Sequence, residues 1–235
     1  MTSEQPMTAT RPALPRPVGV VVPAAGLGLR LGPGANKALR ELAGEPLLLH
    51  AVRRLRACPS VGPIVVAAPP AAVDQVRVLL SSYNVGVVTG GALRQDSVAA
   101  ALAALPPGVE LVLVHDAARA LVPVEVVEAV VAALRAGAPA VIPVLPVADT
   151  VKRVDAAGTV VATVPRQDLR SVQTPQGFRR DVLEAAHAAG ASDATDDAGL
   201  VERQGVQVQT VPGSAEAFKV TRPFDLLIAE AVLRG

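Results

Sequence analysis

Short runs of small aliphatic residues recur along this chain, and each is followed by a stretch long enough for a helix. The runs are VGVVV at 18–22, IVVAA at 64–68, VGVVT at 85–89, LVLVH at 111–115 and AVIPV at 140–144. Between them lie amphipathic segments at about 46–57, 70–82, 95–105 and 123–136. That alternation predicts a mostly parallel, twisted sheet crossed by helices on both faces, with any ligand site at the carboxyl ends of the strands. Pro46 and Pro123 stand at or near the first position of two of the helices, where a missing N–H costs nothing. Half of the residues are hydrophobic but only 2% are aromatic, so the core has to be built from Val, Leu, Ile and Ala.

The alternation breaks at about 147–164. There TVKRV and TVVATV flank Asp155-Ala-Ala-Gly158, a pattern that predicts a β-hairpin arm. A two-stranded ribbon is marginal alone, so its apolar face needs the body or a second subunit to lie on. Helices at 179–189 and 195–204, a strand at 206–211 and a closing helix at 223–234 complete the expected order, within a single domain over 18–235. At this length such a domain buries roughly 70–75% of the surface its unfolded chain exposes. Residues 1–17, polar and proline-rich, read as a disordered N-terminal tail without a signal-peptide core.

Charge and cysteine usage narrow the function. Lys and Arg number 22 against 21 Asp and Glu, which leaves no field of one sign for nucleic acid, and stacking residues are scarce. The longest charge-free run, 57–73, carries four prolines and cannot span a membrane as a helix. Cys58 is the single cysteine, so no internal disulfide exists and a reducing, cytoplasmic location is expected.

Candidate chemistry clusters after the strands. The segment Pro23-Ala-Ala-Gly26-Leu-Gly28-Leu-Arg30-Leu-Gly32-Pro-Gly34-Ala-Asn-Lys37 holds four glycines in nine positions and two cations, which suits a polyphosphate. It is neither a dinucleotide fingerprint nor a P-loop, because no acid ends the second strand and Lys37 lies between Asn36 and Ala38. A Gly-rich surface turn with incidental basic residues remains the competing reading. Gly90-Gly91 leads through Arg94 and Asp96-Ser97 into a helix, and either a ligand turn or a helix cap explains it. His115-Asp116-Ala-Ala-Arg119 ends the fourth strand, where the acid suits magnesium or sugar hydroxyls and the Arg a phosphate; a local ion pair is the alternative. Thr150, Arg166, Thr174-Pro175-Gln176 and Lys219 follow, Lys219 reading from spacing alone as a solvated charge. His50, His115 and His187 are scattered and read as structural, and no G-x-S-x-G is present.

Together PAAGLGLRLG with Lys37, GGALRQDSV, VHDAAR, DTVKR, TPQGF and FKVTRPFDL resemble the 2-C-methyl-D-erythritol 4-phosphate cytidylyltransferases of the non-mevalonate isoprenoid pathway, in order and over 18–234. The resemblance implies a Rossmann-like nucleotidyltransferase fold with a protruding hairpin arm, a homodimer, and transfer of CMP from CTP to the polyol phosphate with magnesium. Carried over by motif, Ala24, Ala25, Gly91, Ala92 and Ser97 line the cytidine pocket, with Gly26 and Gly28 in the same nucleotide loop. Arg30 and Lys37 hold the triphosphate. Asp116, Arg119 and Thr150 meet the metal or the acceptor, Asp116 being the metal ligand, and Arg166 and Lys219 position the acceptor phosphate. Asn36, Ala38 and Ala120 depart from the family's usual residues. A cytidylyltransferase for another polyol phosphate, such as ribitol 5-phosphate, and a non-catalytic nucleotide-binding module are the alternatives.

Overall fold

The structure, a computed structural model, describes residues 17–26, 36–190 and 194–235. The expected tail, save Pro17, together with Gly28 and Arg30, lies outside the described residues. The elements are β1 (Val18–Pro23), β2 (Glu41–Leu42), β3 (Glu45–Pro46), α1 (Leu47–Arg56), β4 (Val61–Ala68), α2 (Val73–Leu79), β5 (Val85–Thr89), α3 (Arg94–Ala103), β6 (Leu111–Val114), α4 (Val124–Arg135), β7 (Ala140–Pro146), β8 (Val151–Val154), β9 (Val160–Val164), β10 (Arg170–Val172), β11 (Gln176–Arg179), α5 (Arg180–Ala188), α6 (Asp197–Arg203), β12 (Val208–Pro212) and α7 (Pro223–Arg234). Single turns of 3₁₀ helix at 70–72 and 81–83 flank α2, so the helix expected over 70–82 is shorter than its pattern. Pro46 and Pro123 are the residues immediately before the first helical positions of α1 and α4.

Alternate residues of β1 enter different cores. Val18, Val20 and Val22 pack with Val52 and Leu55 of α1 and Val130 of α4, whereas Val21 packs with Val98 of α3, Leu183 of α5 and Val201 of α6. A strand has a side-chain period of two, so this split places helices on both faces of the sheet. It also explains why VGVVVP reads as one apolar run: both of its faces are covered.

The sheet runs β5-β4-β1-β6-β11-β7, with β10 continuing on β7. β4, β5 and β6 join β1 in parallel order. β12 pairs in parallel with β7 over residues 140–144, on the edge opposite β11, since both strands pair with Ala140 and Val141. From β1 the chain moves outward to β4 and β5, then returns to β6 on the other side. The strand order therefore reverses at β1, and a crevice opens beyond the carboxyl ends of β1 and β6.

The segment after the arm is the main departure from the expected order. QGFR, expected just before a helix, is instead the antiparallel strand β11, filling the gap between β6 and β7. Phe178 is wholly buried there. A side chain at Gly177 would begin 2.5 Å from Val130 Cγ1 and 2.7 Å from Leu134 Cδ1, so glycine is what lets α4 lie against this strand.

β8 and β9 form the arm as a separate two-stranded antiparallel sheet. Its turn is closed by Asp155, whose Oδ1 accepts the N–H groups of Ala157 and Thr159, each at 2.9 Å, and by Gly158 at φ +82°. Val154, Val160 and Val161 are exposed on it. Among the described residues, no helix is long and apolar enough to cross a membrane.

Candidate active site

Three connections converge on the crevice. Residues 24–26 leave β1, residues 90–93 join β5 to α3, and residues 115–119 leave β6. The first two press together: a Cβ placed on Gly90 would fall 2.6 Å from that of Ala25. Between them lies a cleft of about 550 Å³, lined by Ala24, Ala25, Gly26, Lys37, Gly91, Ala92, Arg94, Ser97, Asp116 and Lys219, with Pro23, Ala38, Leu93, Ala117, Ala118 and Thr221 completing the wall. Small residues with exposed backbone thus share one pocket with three cations and one acid.

Ser97 fixes the glycine turn, because its buried Oγ accepts the Gly91 N–H at 3.1 Å and donates to the Leu93 carbonyl at 3.2 Å. Asp96 caps the same helix by accepting the Leu93 N–H at 3.0 Å. The cap and the ligand turn are therefore one structure.

Lys37 enters the cleft from a single 3₁₀ turn, 37–39. Asn36 ties this turn to the loop after β1: its Nδ2 donates to the Ala25 carbonyl at 3.2 Å, and its Oδ1 accepts the Ala38 N–H at 3.0 Å. The backbone at Asn36, φ −47° and ψ 143°, is close to a proline conformation, so the side chain bonds hold a shape that a proline ring would impose covalently.

Asp116 is the hub. Lys219 Nζ donates to Oδ2 at 2.6 Å, Arg94 approaches Oδ1 at 3.4 Å, and the Asp116 N–H is received by Thr174 Oγ1 at 3.0 Å. Burial alone would raise its pKa, but the charges of Arg94 and Lys219 outweigh that and hold the carboxyl well below the usual carboxylate range. Lys219 is thus a cleft residue and not a solvated surface charge.

Arg119 does not make the local ion pair with Asp116. Its guanidinium donates to the carbonyls of Ala217 at 2.7 Å and Val172 at 3.1 Å, and the Ala118 carbonyl accepts the Val220 N–H at 2.8 Å. These bonds stitch the segment bearing Lys219 to the end of β6. Thr150 and Arg166 are exposed at the base of the arm, Arg166 donating to the Ala148 carbonyl, and neither lines the cleft of its own chain.

The sequence profile described as 2-C-methyl-D-erythritol 4-phosphate cytidylyltransferase matches residues 18–235. The chain belongs to this family. The cytidylyltransferase of Frankia casuarinae is 61% identical over 221 residues, covering 94% of this chain and 82% of that one. That of Streptomyces avermitilis is 56% identical, covering 91% of this chain and 90% of the relative. Among solved structures, the cytidylyltransferase of Thermus thermophilus superposes with a TM-score of 0.78 at 38% identity, covering 93% of this chain and 100% of that one. As a cytidylyltransferase the chain is a nucleotidyltransferase of α/β architecture, the fold class its strand pattern implies.

Two of the three departures from the usual cytidylyltransferase residues are buried small side chains. Ala38 packs into the core beneath Lys37, and Ala120 packs with Leu42, Leu47 and Val220. Sequence reasoning left one lining cation out of the site. Arg94 lies inside the quoted GGALRQDSV, and the signal was its place at the first turn of α3, directly after the glycine pair.

A divalent metal suits this cleft in a restricted way. Among the described residues no three His, Cys, Asp or Glu side chains converge, and Asp116 is the one acid in the lining. Magnesium commonly keeps several waters and takes one or two carboxylates plus substrate phosphates, so a single acid beside a polyphosphate pocket fits it. The Oδ1 atom of Asp116, which receives only the long Arg94 contacts, is the atom with capacity to spare.

Proposed function

We propose that this cleft transfers CMP from CTP to 2-C-methyl-D-erythritol 4-phosphate, giving 4-diphosphocytidyl-2-C-methyl-D-erythritol and pyrophosphate. The observation that carries the reading is the meeting of Lys37, Arg94, Asp116 and Lys219 with the open backbone of 24–26 and 91–92 in one pocket. The cytidine lies along Ala24, Ala25, Gly26, Gly91, Ala92 and Ser97. Lys37, with Arg30, holds the triphosphate, and Gly28 belongs to the same loop.

An oxygen of the acceptor phosphate attacks the α-phosphorus in line, the bond to the β-phosphate oxygen breaks, and pyrophosphate leaves. That phosphate is already ionised at neutral pH, so no protein base is required. Catalysis rests on holding two anions together and stabilising the charge on the leaving group. Magnesium, when bound, supplies Lewis-acid neutralisation of the phosphate oxygens, and Asp116 is the residue that would hold it. Arg119 and Thr150 meet the polyol phosphate, and Arg166 and Lys219 position that phosphate as nucleophile.

The acceptor half requires a homodimer through the arm. Arg166 and Thr150 stand outside their own chain's cleft, and the exposed Val154, Val160 and Val161 offer the arm's apolar surface to a second copy. Arg166→Ala is expected to lower kcat/KM for the polyol phosphate by about 10-fold or more, the worth of a charge-assisted hydrogen bond. An unchanged value removes it from the site. Sedimentation of the intact chain is expected to give a dimer, and a monomer overturns this arrangement.

A cytoplasmic place is supported by the lone Cys58, a buried thiol whose pKa burial pushes up to about 12. Pyrophosphate release from CTP, measured with methylerythritol phosphate, with ribitol 5-phosphate and with no acceptor, tests the reaction. Release dependent on methylerythritol phosphate is expected. Faster release with the ribitol compound gives the runner-up its substrate, and CTP binding without release reduces the chain to a nucleotide-binding module.

A further inference from the structure

Asp197 opens α6 as a carboxylate with no exposure at all, and the reaction above gives it no task. A buried charge persists only where partners compensate for its lost hydration. Two do so here. Arg94 Nη1 donates to Oδ2 at 2.6 Å, and His187 Nε2 lies 2.9 Å from Oδ1. The start of α6 is itself pinned. Asp196 caps the helix by accepting the Gly199 N–H at 3.0 Å, while Gln176 of β11 donates to Asp196 Oδ2 at 2.6 Å and accepts the Ala198 N–H at 3.1 Å.

On its other side the same guanidinium faces the cleft, its Nε and Nη2 each 3.4 Å from Asp116 Oδ1. Arg94 is therefore clasped between two carboxylates, one sealed in the core and one in the cleft. The full chain of contacts runs His187, Asp197, Arg94, Asp116, Lys219 and draws on α5, α6, α3, the end of β6 and the segment just before α7. We propose that Asp197, backed by His187, is a positioning residue, fixing Arg94 and through it Asp116 in their places in the cleft before either substrate arrives.

The inference rests on the reading of the cleft as the site of nucleotidyl transfer. Its physical content is preorganisation. An arginine has many rotamers, and locking it from behind means that binding substrate no longer has to order it. Asp197 is well suited because it is tied to Arg94 by a short bond while staying out of reach of substrate. Thr174-Pro175-Gln176 thereby acquires a purpose, since Gln176 sets the turn that presents Asp197.

The test compares wild type, Asp197→Asn, His187→Gln, Arg94→Ala and the Arg94→Ala/Asp197→Asn double variant by steady-state kinetics, with melting temperatures measured in parallel. Asp197→Asn is expected to lower kcat by about 10-fold or more, as misplacing a catalytic constellation does. His187→Gln, which keeps the carboxylate and should fold even if Asp197→Asn does not, is expected to lower it less. The double variant is expected to be no slower than Arg94→Ala, because Asp197 acts through that residue. Wild-type kcat with only a lowered melting temperature, or losses that multiply in the double variant, would overturn the proposal. Crystal structures of substrate-free wild type and Asp197→Asn give a second reading, in which Arg94 is expected to leave Asp116 in the variant and an unmoved Arg94 refutes the inference. That reading stands even if wild type releases no pyrophosphate from CTP, an outcome that would sink the reaction and not the clasp.

Discussion

Lys37→Ala is expected to lower kcat by about 100-fold or more, on the order of 3 kcal/mol, because it removes one preorganised donor from a developing negative charge. The lysine enters the cleft from a turn that Asn36 ties to the loop after β1, so its ammonium is carried by a fixed backbone. Arg30→Ala, in the same segment, is expected to behave alike. Fold and melting temperature should change little, since Lys37 stands at the rim of the cleft and outside the packed cores. The measurement is steady-state turnover with both substrates saturating. Near wild-type kcat in both variants would take these cations off the triphosphate.

The second large effect is on stability and is set by acid. His115, wholly buried at the end of β6, has its pKa pushed down to about 4, chiefly by burial, with the Arg119 charge adding to it against the opposing pull of Asp116. An unfolded histidine takes its proton near 6.5. Between these values the unfolded chain holds more protons than the folded one, so stability falls as pH falls through this window. The gap corresponds to roughly 3 kcal/mol lost between neutrality and about pH 4. Urea unfolding at intervals from pH 7 to pH 4 reads it directly. His115→Asn, which retains a polar partner for Thr174 but has no proton to gain there, is expected to flatten the profile between pH 6.5 and pH 4. Equal slopes for the two proteins in that window would remove His115 as the cause.

The parts of the fold that were legible in the sequence are those with a local signal. β1, β4 and β6 are largely buried on both faces and read as aliphatic runs, β5 reads as one although it is a half-exposed edge strand, and the arm announced itself through Asp155 and Gly158. β11 was not legible. It is a four-residue strand carrying a glutamine, a glycine and an arginine, and only the slot between β6 and β7 makes it extended. The site divides the same way. The glycine turns and the acid ending β6 stood out by spacing and motif, and the structure brings them to one cleft. Arg94 and Asp197 are 103 positions apart, and their pairing follows from the packing of α6 against the sheet, which no periodicity encodes.

β11 also sets the order in which the molecule can be built. β6 and β7 are neighbours in sequence order, yet they join only through a strand synthesised after both. As the chain leaves the ribosome, β1, β4, β5 and β6 can zip together at once, but the seam beside β6 stays open until residue 179 has cleared the exit tunnel. Until then Val112, Leu113 and Val114 offer an unpaired edge. Neighbouring nascent copies can reach that edge, so yield on expression should respond to synthesis speed and to holdase chaperones more than the finished protein's stability suggests.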